Sequence, residues 1–421
     1  MKRIEFKEIK EEVFYEKLEN GLEVYLYPTN KSKNFYATIS TKYGSSVMSY
    51  KKGNKTINVL PGTAHFLEHK VMNFTTNKEY MERVNKLGSI TNAYTTYNVT
   101  NYNIFGSKNI IENLSLIFDM VYNPVITNEN VKNEKGIISE EIDMDKDDIN
   151  ISSMLKKLKN LFYKSFPINH ILGEKEDINK MTSSYLKMIY NDFYRPNNMF
   201  VIVVGNFNKE EVIGYIRTYM KKFQSKNKET IKIKKVKEPD EVKVAYEEIS
   251  KNTFETKVYY SIKINKNIFK DINKTDINYY LNIILSANFS TTSRLYEKYK
   301  NKKIVSTLAA GFKIYDNHII ISIVASTDDK DKFINNIKRD INNLSLTENV
   351  FDRKRKKLLS EVILGFENIE DIEFLVTYNI LENKKLDNKD YQIIENLDYK
   401  KCLSVMKKLK FDNNSILVCK K

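Results

Sequence analysis

Apolar and polar positions alternate with a period of two in EVYLYP (23–28) and FYATISTKYG (35–44), which therefore read as the first strands. A loop carrying Gly53 and the pair Pro61–Gly62 leads into a helix, with Thr63 as its expected N-cap. On that helix Ala64, Leu67 and Val71 form an apolar stripe suited to packing on a sheet. The run 91–106 is rich in Thr, Tyr and Val and reads as one or two strands. Helical periodicity follows near 109–123, 128–146 and 151–164; 199–207 (MFVIVVGNF) reads as a buried strand and 208–223 as a helix.

The stretch 225–243 is polar, charged and contains Pro239, and it reads as an interdomain connection. Beyond it the order repeats. A strand at 258–264 precedes a helix at 278–289, a strand at 318–326 and two long charged helices within 328–383. A final strand at 415–420 resembles the one that closes the first half. The pattern predicts an α+β protein built from two homologous α/β-sandwich halves, each a mostly antiparallel sheet covered by helices. The expected division is 1–224, a charged linker 225–243, and 244–421.

One segment carries chemistry. HFLEH, from His65 to His69, holds two of the chain's four histidines with a glutamate between them. On a helix His65, Glu68 and His69 fall at i, i+3 and i+4, so all three share a face. Two imidazoles at that spacing can grip one metal ion, and the carboxylate beside them can handle the proton of a bound water. This is H-x-x-E-H, the reverse of the commoner zinc-peptidase order. A third ligand is sought in NEKGIISEEID (133–143), where Glu134, Ile137, Ile138 and Glu141 fall at i, i+3, i+4 and i+7. Two carboxylates in one apolar stripe call for a cation, whereas Glu140 points off that stripe. His170 follows Pro167 and reads as a loop residue, and His318 as a structural residue of a strand.

Bulk composition narrows the rest. At 421 residues and 41% hydrophobic, the chain can hold two full cores. The net charge of +15 comes mostly from lysines spread evenly among Asn and Ile, so it reads as background bias, with no nucleic-acid partner expected. Cys402 and Cys419 lack metal-ligand spacing and suggest a reducing compartment. No signal-peptide core and no apolar run of about 20 residues is seen, so a soluble, cytoplasmic protein without membrane attachment is expected.

HFLEH at 65–69, NAYT at 92–95, EKGIISEE at 134–141 and HILGE at 170–174, in this order, resemble the pitrilysin, insulin-degrading enzyme and mitochondrial-processing-peptidase group of zinc metallopeptidases, the inverzincins. The resemblance implies a processing-peptidase-like metallohydrolase fold with Zn2+ as cofactor in the first half, and a second half without metal. It implies His65, His69 and Glu141 as zinc ligands; Glu141 lies seventy-two residues after His69, within the family's spacing. It makes Glu68 the general base and gives Glu134 a supporting catalytic role behind a ligand histidine. It assigns Asn92, Ala93, Tyr94 and Thr95 to an edge strand that holds extended peptide substrates by strand addition.

The chain departs from the family in SRLYEKYKNKKIVST (293–307). Where self-sufficient members carry an Arg and a Tyr seven residues apart, it has Lys300 and Thr307, with Arg294 and Tyr299 nearby. Lysine lacks the two-pronged geometry of arginine. The expectation is a zinc endopeptidase subunit that cuts short unfolded peptides inside a dimer chamber, with a related chain supplying the Arg/Tyr pair in a heterodimer, or a homodimer as second choice. The competing expectation is a non-catalytic scaffold or binding subunit of such a heterodimer.

Overall fold

The structure is a computed structural model, and it describes residues 1–72, 77–223, 230–251 and 254–420. The chain runs through β1 (Lys2–Phe6), β2 (Glu11–Lys17), β3 (Glu23–Pro28), β4 (Phe35–Thr41), the short strands β5 (Ser49–Lys52) and β6 (Lys55–Asn58), then α1 (Thr63–Met72) and α2 (Asn77–Lys86). Next come β7 (Ile90–Thr95), β8 (Thr100–Gly106), α3 (Ile110–Tyr122), α4 (Asn128–Asp147), α5 (Ile149–Leu161), α6 (Lys175–Lys180), α7 (Ser183–Phe193), β9 (Met199–Gly205), α8 (Lys209–Met220) and β10 (Ile231–Ile233). The remainder is β11 (Tyr246–Ser250), β12 (Thr256–Asn265), α9 (Lys274–Phe289), α10 (Arg294–Asn301), β13 (Thr307–Tyr315), β14 (His318–Thr327), α11 (Lys330–Asp340), α12 (Glu348–Leu364), α13 (Ile369–Asn383), α14 (Asp390–Glu395), α15 (Tyr399–Lys408) and β15 (Asn414–Lys420).

Two sheets carry the architecture. The first has the order β1-β2-β3-β9-β4-β8-β7 and the second β11-β15-β12-β14-β13. Each contains one parallel pair, β3 with β9 inside the first and β11 with β15 at the edge of the second, in an otherwise antiparallel sheet. Strand for strand, β3-β9-β4-β8-β7 repeats as β11-β15-β12-β14-β13, so the duplicated α+β unit expected from the sequence is present. The run 328–383 holds three helices rather than the two long ones expected; residues 365–368 break the periodic stretch between α12 and α13.

The chain forms two compact units that do not follow a single cut. One comprises 1–144, 169–235 and 363–389, the other 145–168, 236–362 and 390–421. This differs from the expected division at 224 and 244, and the reason is two helices. In the second unit α5 packs on β12 and β15, with the Cys419 thiol 3.2 Å from the Ser153 hydroxyl and Asn160 Nδ2 donating to Glu247 at 2.8 Å. In the first unit α13 packs on β9 and β4. The expected linker is also more structured than its composition suggested, although 225–229 of it lie outside the described residues. β10 pairs with β5, and Glu238 accepts backbone N–H groups of Tyr163, Lys164 and Ser165 while pairing with buried Lys263 at 2.9 Å. Backbone donors and a buried ammonium suffice to draw that carboxylate out of water.

In the first unit the central strand β9 is buried along its whole length, because helices cover both faces of the sheet. On one face Ala37, Ile39, Val201 and Val203 join Leu67, Val71 and Ile117. On the other, α13 delivers Ile372 and Val376 onto Tyr27, Phe200 and Ile202. Glu373 enters the same layer, where its Oε1 accepts from Thr38 (2.9 Å), Thr377 (2.7 Å) and Asn101 (3.2 Å).

Burial lifts the Glu373 carboxyl above its ordinary value, against the donation from Thr377, Thr38 and Asn101. The folded state thus keeps this proton to higher pH than the unfolded chain, where a glutamate titrates near ~4.3. Between those two values the native state binds more protons, so stability falls as pH rises through that window. Glu373→Gln keeps an acceptor for all three donors and removes that slope. It is expected to melt a few degrees above the unsubstituted protein at pH 8, with the gap closing toward pH 4; thermal melts at both pH values giving equal gaps would contradict this.

Candidate metal centre

The site is built on α1. Its entry is a close backbone crossing: Gly62 (φ +85°) and Gly173 (φ +80°) meet so closely that a Cβ on Gly62 would lie 2.3 Å from the Leu172 carbonyl, and one on Gly173 2.5 Å from that of Pro61. Only glycine tolerates both the dihedral and the contact. This accounts for the glycine of the HILGE run, which buttresses the start of the helix. Thr63 does not act as the expected N-cap. It lies inside the helix, its hydroxyl donates back to the Leu60 carbonyl at 2.6 Å, and the first helical bond runs from Phe66 N to Gly62 O.

The expected apolar stripe is in place, with Ala64, Leu67 and Val71 essentially without solvent. Leu67 and Val71 each contribute roughly 1.5–3 kcal/mol when buried. That packing fixes the rotation of α1 and sets His65, Glu68 and His69 together along one side. The imidazole centroids are 4.6 Å apart.

α4 supplies the other wall. Glu141 Oε2 lies 3.6 Å from His65 Nε2 and 3.5 Å from His69 Nε2, and the three donor groups fall within 4.8 Å of one another. Donors about 2.1 Å from a tetrahedral ion stand roughly 3.4 Å apart, so the spacing fits zinc. A second observation agrees: Glu141 Oε2 is shut off from water and has no hydrogen-bond partner among the described residues. A carboxylate oxygen shut off from water without a donor is costly, and a cation among the three donors removes that cost. Glu140 is exposed, as its helical phase indicates. The stripe expected on α4 is only partly realised. Glu134 and Ile138 are buried, but Ile137 is 54% exposed and the Glu141 side chain 41%, because α4 meets α1 along a narrower strip than the i, i+3, i+4, i+7 set spans.

Electrostatics sort the groups. Burial, helped by the nearby His69 and His170, holds the His65 imidazole down at about 3, so it is neutral near pH 7 with a free lone pair. Burial also disfavours charge on His69, but the Glu134 hydrogen bond and the charges of Glu134, Glu141 and Glu68 outweigh it and raise the group. His69 Nδ1 lies 3.0 Å from Glu134 Oε1. With the proton on Nδ1, Nε2 is free to face Glu141. Burial alone would lift the Glu134 carboxyl, yet hydrogen bonds from His69 and Lys70 take it down to about 2. Burial raises Glu68, and the Thr95 hydroxyl, donating to its Oε2 at 2.5 Å, works against that rise.

The edge strand β7 has one strand neighbour among the described residues, β8, and leaves its other edge open. Its side chains alternate. Ala93 packs on the α1 side and Thr95 reaches Glu68, whereas Tyr94 turns to the opposite face beside Tyr36 and Phe105. Asn92 is exposed, its Oδ1 accepting from Ala93 N. Of the four expected substrate residues, the structure therefore brings one side chain, Thr95, to the candidate centre. Two contacts were missed from the sequence: Thr95 with Glu68, and Lys70 with Glu134 at 2.7 Å. Lys70 was detectable, since it falls three residues after Leu67 and one before Val71, on the buried side of α1.

His170 is buried near His65 but outside the donor cluster, and His318 lies in β14 with Nε2 2.8 Å from Asp240. In the second unit Lys300 is exposed at the end of α10, its Nζ donating to Ser306 O, and exposed Thr307 opens β13. Tyr299 is fully buried, its hydroxyl 3.1 Å from Asp340.

Residues 57–197 match the family described as insulinase (peptidase family M16), and 180–358 match the M16 inactive domain. The uncharacterized zinc protease YmfH of Bacillus subtilis (strain 168) is 31% identical over 344 residues, 80% of this chain and 79% of that one. The chain belongs to the M16 peptidase family. Its fold is that of an M16-like peptidase of Alicyclobacillus acidocaldarius, with a TM-score of 0.88 at 22% identity over 97% of both chains. It is also that of the periplasmic protease PqqL of Escherichia coli, with a TM-score of 0.79 at 17% identity, where 97% of this chain covers 47% of the other. This M16 chain thus falls in a family of zinc proteases. No helix among the described residues is long and apolar enough to cross a membrane.

Zinc titration against a chromophoric chelator checks the donor set. His65→Ala and Glu141→Gln are each expected to weaken binding by more than the ~10–100-fold that loss of an outer carboxylate costs. Glu140→Gln is expected to bind as the unsubstituted protein does; equal losses for Glu140 and Glu141 would overturn the assignment.

Proposed function

We propose that this M16 chain is a zinc-dependent endopeptidase subunit acting on short, unfolded peptides. The observation that carries the reading is the convergence of His65, His69 and Glu141 on one point beside Glu68, itself held by Thr95 of an open sheet edge. His65 and His69 would hold the ion through Nε2 and Glu141 through Oε2. When bound, zinc supplies a Lewis acid for the scissile carbonyl and acidifies a water. Glu68, with Oε2 engaged by Thr95, takes the water proton on Oε1 and hands it to the leaving amine. Its raised affinity for a proton suits the first half of that task. Glu134 keeps the proton of His69 on Nδ1.

The free edge of β7 binds the peptide as an added strand, through the N–H and C=O groups of Asn92 to Thr95. Folded proteins cannot offer such an extended segment, which supports unfolded peptides as substrates. In sequence, Lys300 and Thr307 take the positions of the family's Arg and Tyr, and Tyr299 is committed to its own core. We infer that a related subunit supplies that pair in a heterodimer closing around the substrate. PqqL, whose chain this one spans by about half, is a case in which a unit of this size is accompanied by more chain.

The test is cleavage of a quenched, unstructured peptide mixture by the zinc-loaded protein, alone and with related M16 chains added. Glu68→Gln should lower kcat ~10²–10⁴-fold while zinc stays bound. Thr95→Val should lower kcat by a smaller factor with KM unchanged, and Thr95→Ser should restore it. Zinc binding with no cleavage under any pairing would favour the non-catalytic scaffold instead; cleavage that survives Glu68→Gln would remove Glu68 as the base.

A further inference from the structure

Lys70 follows the second motif histidine directly, and its side chain is 1% exposed. A lysine is among the residues least often found without solvent, because taking an ammonium out of water is costly unless acceptors replace it. Here the acceptors come from one turn of α4: Glu134 Oε2 at 2.7 Å and the Asn130 carbonyl at 3.1 Å. Glu134 in turn presents its other oxygen, Oε1, to His69 Nδ1. The carboxylate is therefore gripped from both sides by neighbours in sequence, His69 and Lys70, and cannot rotate away from the imidazole without abandoning a buried ammonium.

We propose that Lys70 is a positioning residue for the metal centre. It locks Glu134 against His69, and through the turn Asn130–Glu134 it fixes the rotation of α4 that places Glu141, two turns further on. The inference rests on the zinc-centre reading above and goes beyond it by giving a role to a cation next to a cation site. With a dication bound, the charges of Glu68, Glu134, Glu141 and Lys70 bring the cluster to zero.

Two effects of Lys70 on zinc have opposite signs, which makes the proposal testable. A buried positive charge by itself repels the ion, so removing it would tighten binding. Positioning predicts the reverse. Lys70→Met, which fills the same slot without charge or donor, is expected to weaken zinc ~10–100-fold in competition with a chromophoric chelator, the range seen when outer partners of a ligand are lost. The cobalt-substituted protein should show an altered visible absorption band. Glu134→Gln should weaken zinc by a similar factor, and the double variant should lose clearly less than the two single losses combined, because Lys70 acts largely through Glu134. Lys70→Gln, which keeps a donor, should lose less than Lys70→Met and serves as the variant should Lys70→Met fail to fold, judged by circular dichroism of the metal-free protein. Zinc binding by Lys70→Met that is unchanged or tighter, or losses that add in the double variant, would overturn the proposal. A failure of the unsubstituted protein to bind zinc would instead remove the metal-centre reading on which it rests.

Discussion

The unit that carries the candidate metal centre turns on a single buried carboxylate. Glu134 is almost without solvent, and a lone carboxylate in that position would be far less stable than one in water. It persists as an anion because His69 and Lys70 both donate to it, and those two residues sit side by side on α1. The same contacts join α1 to α4, helices sixty-odd residues apart in sequence. Burial of Leu67 and Val71 fixes which way α1 faces, and the Glu134 bridge fixes which way α4 faces. The three donor atoms converge as a consequence of those two constraints.

The repeated topology shows where the two units differ at corresponding positions. Thr127 and Thr347 precede α4 and α12, and each accepts the first helical bond, from Val131 N and Phe351 N respectively. In that frame Ile138 corresponds to Leu358, and both are buried. Glu134 corresponds to Lys354, half-buried, whose Nζ is held by the Ser290 hydroxyl at 2.9 Å. Burial, with Lys357 and Arg353 close by, holds that ammonium below its ordinary range. The acid that anchors His69 in one copy is thus a base in the other, and α9 packs its face with Tyr280, Leu281 and Ile284. The packing skeleton of the duplicated fold accommodates either choice. The chemistry resides in a few positions superimposed on that skeleton.

Legibility in the sequence follows the range of the interaction. Strands β3, β4, β9, β12 and β14 were readable because period-two alternation or a continuous apolar run is local. HFLEH was readable because both imidazoles and the carboxylate lie on one turn. Glu141 could be separated from Glu140 by helical phase, which is again local. The exchange of α5 and α13 between units left no such trace: the contacts of Glu373 with Thr38 and Asn101 span more than 270 residues, and nothing near Glu373 announces them. The linker failed for a related reason. Lysine and proline describe its surface, whereas the fit of Glu238 to three N–H groups depends on where α5 ends. Lys70 could have been read from its phase on α1, but a lysine beside histidines invites the assumption of a solvated side chain.

The alternation of β7 carries a last consequence. Because Ala93 and Thr95 face α1 while Tyr94 faces away, the strand cannot present four consecutive side chains to a peptide. What it offers along its free edge is backbone, and backbone reads extension rather than sequence. In the proposed mechanism this leaves cleavage preference to groups outside Asn92 to Thr95, and gives the strand a different task. Thr95 ties its end to Glu68, so the strand that aligns the peptide also holds the base. Any shift of β7 relative to α1 would move substrate and base together. The distance between the scissile bond and the proton acceptor is then a property of one hydrogen-bonded frame, which is the kind of rigidity that an effectively intramolecular proton transfer requires.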